Sequence, residues 1–483
     1  MPIVAIDDTD SRVDGMCTTY VATRLAERLV AAGASVDRRL LIRLNPAVKY
    51  KTRGNAAVAL HAADISPLAA LDLARDTVRT FAVVDDDRTS PGVVVADLDV
   101  PPDLALPPGD GTTIPEPIAS FTRRALRERL TIDEAVALAD TYGFLHAAVG
   151  GTDHPGRGRI GALAAVGAPA AFDDWTVEHI SYRELDRCGT PREVDADSVF
   201  AAAADGYPVV WDTVDRGTGE VVCVPNAPGP ILHGIRGDDA MACRSVAEAI
   251  RSEPVDRTTT FLTNQGTDVH LEGGAIGDLR DGASYRVDGV IAAPPETKRG
   301  GHVHVALVDP ETATSPPTAA TTPVDPAVPA VPAASADPAA PTTTAARELT
   351  CVAFKPTGRF RDHVRALRAG DRVTVCGECE RRPMGDPPAT RETLKLEKFA
   401  VRRLVRTEPS TPTCPECDRR MSSAGRDQGY RCRDCDTAAP GRVDRPIDRS
   451  LEPGWYEVPP SARRHIAKPL IRGGFDAPSN PER

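Results

Sequence analysis

The chain is 483 residues long with 41% hydrophobic residues, more than one core can use and enough for three or four domains of ordinary size. Its formal net charge of −11 excludes a uniformly basic nucleic-acid binder, so phosphate contacts have to come from local clusters. No run approaches the roughly 18 apolar residues that a membrane span requires, which argues against an integral helical membrane protein.

The opening PIVAID reads as a short buried strand running into carboxylates, with no basic segment or small-residue cleavage site; no signal peptide and a cytoplasmic location are expected. Thr18 to Ala32 reads as a helix with Val21, Leu25 and Leu29 on one face and Gly33 as its stop. Strand-like runs at 40–44 and 56–61, then helical patterns at 68–81 and 117–130, give an alternating α/β first domain, 1–168. Residues 169–282 stay mixed α and β and read as a separate second domain. Within 283–408, the runs 285–307 and 348–376 look like short strands of a small β-barrel. Between them, about 309–346 is built from Pro, Ala and Thr, a composition that cannot offset its ordering entropy and is expected to be a disordered insertion. A cysteine ribbon at 409–440 and a tail at 441–483 close the chain. The fold class expected is multidomain α+β and α/β.

Lysine occupies only seven positions, 49, 51, 298, 355, 395, 398 and 468, while Arg and Asp are plentiful. This resembles a high-salt, GC-rich proteome in which an acidic surface is the solubility background. Basic clusters at 359–368, at Arg381 and Arg382, and at 402–406 place RNA binding in the C-terminal third.

The eleven cysteines are partly single and partly in Cys-x2-Cys pairs, which favours metal over a disulfide framework. Cys414, Cys417, Cys432 and Cys435 have zinc-ribbon spacing, and four thiolates leave no open position, so this Zn²⁺ is structural. Cys376 and Cys379 form a further pair, either core thiols or ligands of an alternative site with Cys414 and Cys417. Asp7, Asp8 and Asp10 cluster directly after the first strand, hard oxygen ligands that suit Mg²⁺ and a phosphate substrate. Gly15 to Thr19 then leads into a helix whose free N–H groups and hydroxyls suit phosphate oxygens. The stretch from Arg43 to Ala57 supplies Lys49, Lys51, Arg53, Gly54 and Asn55, cations for a developing phosphoryl charge. Gly156 to Gly161 matches G-x-G-x-x-G, but Arg157 and Arg159 suit polyphosphate or RNA better than a dinucleotide, and a helix-start turn is an equal reading. FLTNQGTDVH, 261–270, is either small-ligand hardware or a loop that bonds itself, and Asp212 and Asp215 pose the same choice.

Together IDDTDS, GMCTTY, RLNPAVKYKTRGNAA, GRGRIGALAA, PILHGIRGDD, FLTNQGTDVH and PGWYEVPPSARRH resemble the archaeal tRNA(Ile) 2-agmatinylcytidine synthetase family, over nearly the whole chain outside the insertion. The resemblance implies a kinase-like catalytic domain, a ferredoxin-like domain, an OB-fold β-barrel and a zinc ribbon, in that order. It implies a ligase that uses ATP to activate the C2 oxygen of the wobble cytidine of the second isoleucine tRNA, anticodon CAU, which agmatine then displaces. Asp7, Asp8 and Asp10 would bind Mg²⁺ and the triphosphate, and Thr18 would face the γ-phosphate as a candidate for autophosphorylation. Gly15, Thr19, Lys51, Arg53, Gly54, Asn55, Arg157 and Arg159 would hold ATP or its phosphates. The agmatine pocket is expected between the first two domains, from Asp212, Asp215, Thr263, Asn264 and Asp268, because its cationic ends call for carboxylate and carbonyl partners. The barrel and ribbon would grip the tRNA acceptor end while the catalytic half takes a cytidine pulled out of the anticodon loop. Cys376 and Cys379 depart from the family pattern. The competing classes are another ATP-dependent RNA-modifying or RNA-phosphorylating enzyme and a non-enzymatic nucleic-acid-binding protein.

Overall fold

The computed structural model describes residues 1–49, 54–100, 113–150, 154–311, 347–384 and 389–483. Its first half holds strands β1 (Pro2–Asp7), β2 (Ser35–Arg43), β3 (Ala56–Ala63), β4 (Gly92–Asp97), β5 (Leu145–Ala148), β6 (Thr176–Arg183), β7 (Val210–Trp211), β8 (Val214–Asp215), β9 (Glu220–Val221), β10 (Ile231–Gly237) and β11 (Val255–Thr263). The helices are α1 (Thr18–Ala31), α2 (Pro67–Phe81), α3 (Glu116–Ala125), α4 (Ile132–Thr141), α5 (Gly158–Gly167), α6 (Ala196–Gly206) and α7 (Ala240–Ala249).

One nine-stranded sheet runs through this half in the order β5-β4-β1-β3-β2-β11-β6-β10-β7. The expected first and second domains are therefore not separate layers: β2 and β11 pair in parallel, with Leu40 opposite Leu262, and join them into one sheet. Alternation along β1 feeds two cores. Ile3 and Ala5 pack with Ile118, Phe121 and Ala162 of α3 and α5, while Val4 and Ile6 pack with Leu25, Leu29 and Val78 of α1 and α2. The strands flanking β1, namely β3 and β4, are both antiparallel to it. The helix expected over 117–130 ends at Ala125, and α4, which starts with Thr131 capping the Glu134 N–H, was not anticipated.

The second half begins with β12 (Leu271–Gly273), β13 (Ser284–Ile291), β14 (Glu296–Thr297), β15 (Val303–Val308), β16 (Glu348–Ala353), α8 (Phe360–Arg365), β17 (Arg372–Met384) and β18 (Ala389–Arg403). Strands β13, β15, β16, β18 and β17 close on themselves, because β17 pairs with both β18 and β13. The expected insertion is almost entirely outside the described residues. The ribbon carries β19 (Thr407–Ser410), β20 (Ser422–Ser423), β21 (Tyr430–Arg431), β22 (Ala438–Ala439) and β23 (Val443–Pro446). The tail then returns to the barrel as β24 (Gly454–Glu457) on β18 and β25 (Ser479–Asn480) on β24. Among the described residues no helix is long and apolar enough to cross a membrane.

Candidate functional site

The carboxylates after β1 stand between two cavities. One, about 240 Å³, is lined by Asp7, Asp8, Asp10, Lys49 and Arg157 together with apolar Leu44, Val48, Ala125, Leu130 and Ile160. The other, about 300 Å³, is lined by Asp10, Thr18, Thr19, Arg43 and the turn at 225–229. Asp10, Asn55 and Ala56 line both, so the two spaces meet at one wall.

Burial, then Asp8 and Asp10, push the Asp7 carboxyl well above its usual range. Burial also raises Asp8, against the opposing pull of Arg157, whose Nη2 lies 2.6 Å from Asp8 Oδ2. Among the described residues only the four ribbon cysteines stand close enough together to hold a metal by themselves; Asp7, Asp8 and Asp10 line one cavity without converging, an arrangement that leaves room for Mg²⁺ held by one or two carboxylates together with substrate phosphates. The backbone is strained around both cavities: Asp8 beside the smaller, Met16 beside the larger and Asn55 at the shared wall have φ of 61°, 63° and 36°.

The glycine-rich segment 156–161 acts by close approach rather than as a dinucleotide loop. A Cβ on Gly158 would sit 2.3 Å from the Asp7 carbonyl oxygen, and one on Gly161 1.9 Å from Asp7 Oδ2. Helix α5 thus lies directly against the end of β1 and backs the Asp7 carboxylate. Thr18 opens α1 and is buried; its hydroxyl lies 3.1 Å from that of Thr9 and 3.4 Å from Asp10 Oδ1. No side-chain oxygen caps α1 at Cys17, and the helix opens beside the larger cavity, with the Tyr20 N–H already donating to the Cys17 carbonyl at 3.0 Å. Gly15, with φ +88°, lets the turn at Pro228 approach and close this side. Gly54 lines the larger cavity, and Asn55 Nδ2 donates to Asn45 O at 2.6 Å, closing the neck of the basic loop. Lys51 and Arg53 lie outside the described residues.

Several expected residues are engaged elsewhere. Arg159 donates to the carbonyls of Pro155 and Gly156 and lines neither cavity, so it is not gathered with the phosphate group. The expected agmatine set is not brought together. Asp212 pairs with buried Arg463 at 2.8 Å. Asp215 is held by Arg359 at 3.2 Å and Ser461 at 2.6 Å. Asp268 accepts from Lys398 at 2.8 Å and from the Lys468 N–H at 2.7 Å. Thr263 and Asn264 are fully buried, and the Asn264 amide bonds both the N–H and the carbonyl of Arg43, extending the β2–β11 ladder with a side chain. The physical reason is that the three carboxylates satisfy the junction between sheet, barrel and tail, while Thr263 and Asn264 satisfy backbone groups at the end of the sheet.

Arg43 itself was not singled out; its guanidinium pairs with buried Glu178 at 2.8 Å and lines the larger cavity. Arg192 was also missed: it donates to the carbonyls of Ala227, Gly229 and Ile231 and so fixes the 225–229 turn. Only the Pro- and Gly-rich composition of that turn marked it in the sequence.

In the ribbon, the four Sγ atoms of Cys414, Cys417, Cys432 and Cys435 lie within 4.8 Å of one another. Tetrahedral Zn–S bonds of about 2.3 Å separate sulfurs by roughly 3.8 Å, so the cluster fits Zn²⁺ with every position taken by protein. Cys376 and Cys379 do not join it: Cys376 packs with Ala400, Trp455 and Leu470, and Cys379 with the barrel core.

Family profiles described as the TiaS TCKD domain, the TiaS FLD domain and the TiaS C-terminal zinc ribbon domain match residues 3–66, 156–270 and 411–451. A 2-agmatinylcytidine synthetase of the second isoleucine tRNA, TiaS, from Haloquadratum walsbyi is 52% identical over 487 residues, with 100% of each chain covered. The chain belongs to this family. A relative of the same name from Methanosarcina mazei is 40% identical, with 97% of each chain covered. Among solved structures, apo TiaS superposes with a TM-score of 0.77 at 36% identity, covering 100% of each chain. The complex of TiaS with the second isoleucine tRNA, AMPCPP and agmatine gives a TM-score of 0.75 at 34% identity, covering 100% of this chain and 99% of that one.

Proposed function

We propose that the chain joins agmatine to C2 of the wobble cytidine of the second isoleucine tRNA, with ATP activating the C2 oxygen, so that the resulting agmatidine reads AUA as isoleucine. The observation that carries this reading is the pair of cavities meeting at Asp10 and Asn55, in a chain collinear with relatives bearing that activity. The smaller cavity offers apolar side chains for a base and carboxylates with Lys49 and Arg157 for a triphosphate. Thr18, on the far side of the shared wall, is where a transferred phosphoryl group would meet a hydroxyl.

A pyrimidine carbonyl oxygen is a poor leaving group. It takes a phosphoryl group from ATP, the primary amine of agmatine then adds at C2, and phosphate departs with the former carbonyl oxygen as the amine loses its proton. One or two of Asp7, Asp8 and Asp10, with phosphate oxygens, would hold Mg²⁺, which when bound neutralises phosphate charge and favours the ionised carboxylates. Arg157 fixes Asp8, α5 backs Asp7, and Arg43 stands over the larger cavity. We assign agmatine to that larger cavity, where Asp10 provides a carboxylate for a cationic end.

Residues 1–168 read as the kinase-like catalytic unit and 169–282 as the ferredoxin-like unit, fused through one sheet. The closed five-strand ring with α8 between β16 and β17 supports an OB-fold reading of 283–408, followed by the ribbon at 409–440 and the tail at 441–483. The cytoplasm is the compartment in which this substrate would be met. The test supplies purified protein with Mg²⁺, ATP, labelled agmatine and an isoleucine tRNA transcript with a CAU anticodon at high KCl. Label on the RNA, lost on Asp8→Ala, is expected; no label with the wild-type chain sinks the reading.

A further inference from the structure

In this acidic chain, where its few lysines go is informative. Lys395 pairs with Glu378 at 2.7 Å, Lys398 with Asp268 at 2.8 Å, and Lys468 lies 5.8 Å from the Phe475 ring. Lys49 lines the smaller cavity, and Lys51 is outside the described residues. The remaining two, Lys298 and Lys355, meet at one end of the barrel.

They meet in a built surface. Lys298 to Gly301 form the tip between β14 and β15, closed by Lys298 N–H to His302 O and Gly301 N–H to Lys298 O, both 2.9 Å. The facing turn begins with Phe354, a large apolar side chain left 37% exposed. The Lys355 N–H donates to His302 Nδ1 at 3.0 Å, which fixes that ring, and His302 and Phe354 stand edge to face with centroids 5.2 Å apart. Arg361 Nη1 donates to Gly301 O at 2.6 Å and Arg365 to Thr297 Oγ1 at 3.2 Å, pinning the tip to α8. Lys298, Arg299, Lys355, Arg361 and Arg365 outnumber the local carboxylates, Glu296 beside Lys298 and Asp362 beside Arg365.

We propose that the Lys298–His302 tip and the Phe354–Lys355 turn form a stacking platform for unpaired nucleotides of the RNA. It rests on the proposed function only in taking RNA as the partner. An exposed Phe354 backed by the half-buried His302 ring and flanked by cations suits a base whose face is free and whose phosphates lie within reach. A duplex hides its base faces and would engage the cations alone.

The test uses the full chain with fluorescein-labelled oligo(rA), a blunt RNA duplex and polyglutamate, over a range of KCl. Phe354→Ala is expected to weaken oligo(rA) binding on the order of tenfold while leaving duplex binding unchanged, and Phe354→Trp to preserve both. The double variant Lys298→Gln with Lys355→Gln is expected to flatten the log–log salt dependence by about 1.4. Melting temperature and RNA-independent ATP binding check that each variant is folded. Wild-type affinity for oligo(rA) in folded Phe354→Ala, or an equal loss for duplex or polyglutamate, overturns the platform. Transfer of agmatine to tRNA by the wild-type chain is read separately, so failure of the reaction and failure of the platform are distinguishable.

Discussion

His465 of the tail places Nε2 3.2 Å from the carbonyl oxygen of Leu44, at the point where β2 leaves the sheet for the basic loop. Its ring lies edge to face with that of His270, 5.4 Å between centroids, and His270 Nε2 reaches the preceding carbonyl, of Arg43, at 3.1 Å. A segment more than 400 positions away thus holds the strand end that carries a cavity cation. His465→Ala, losing a contact worth about 1 kcal/mol, is expected to lower kcat/KM for agmatine incorporation roughly fivefold, and His465→Gln, which keeps a donor, to restore most of it. Equal kinetics for the two variants would mean that the contact does not position the strand.

Asp212 offers a sharper separation between ligand and structure. It faces Arg463, whose side chain is only 7% exposed, and removing the carboxylate strands part of a buried charge. Asp212→Ala is expected to destabilise the fold by about 3 kcal/mol in denaturant titration, without raising KM for agmatine at a permissive temperature. A raised KM at unchanged stability would return Asp212 to the pocket.

The elements of the first sheet were legible because burial on both faces writes itself as apolar runs such as PIVAID, and the carboxylates following it pointed to the candidate site. The fusion of the two N-terminal units was not legible: the β2–β11 pairing joins residues over two hundred positions apart and leaves no periodic trace. Nor does a sequence show which polar group is already satisfied. Asp212, Asp215 and Asp268 have the chemistry of a ligand pocket, and only their partners Arg463, Arg359 and Lys398 reveal them as joints. The ribbon was readable from spacing alone, since four thiolates in two close pairs leave zinc one geometry.

Gly161 tests the packing behind the carboxylates. An added methyl would come within 1.9 Å of Asp7 Oδ2, far inside contact distance, so the carboxylate or α5 has to move. Gly161→Ala is expected to lower ATP turnover at least a hundredfold, on the rule that a displacement of about 1 Å at a reacting centre costs that much. Turnover near the wild-type value would show that Asp7 is not needed in its present position.

Acid should weaken the fold before most carboxylates titrate. Burial holds His61 near a pKa of about 3 and His179, His233 and His270 near about 4, below the ordinary 6.5. Between about 6.5 and 4 these four histidines bind more protons in the unfolded chain than in the folded one, so their contribution to stability rises with pH and is lost on acidification, while the raised Asp7 and Asp8 carboxyls act in the opposite sense. Melting temperature at constant high salt is expected to begin falling near pH 6.5, and His61→Leu to flatten that slope. A flat profile down to pH 4.5 would contradict neutral buried histidines.

Zinc removal should separate the two ends of the molecule. The ribbon has its own small core of Cys414, Met421 and Cys432, distinct from the cores beneath the Asp7 loop and inside the barrel. Losing the metal, by Cys432→Ser or by a chelator, should therefore unfold this unit while the catalytic sheet stands. The expected result is tRNA binding weakened at least tenfold, with RNA-independent ATP binding within twofold of wild type, the first by gel shift and the second by calorimetry. The direction follows from the placement of residues: the carboxylates and Arg157 sit at the end of β1 and the start of α5, and no described ribbon residue lines either cavity. If ATP binding falls in step with tRNA binding, the ribbon supports the whole fold instead of one end of an RNA clamp.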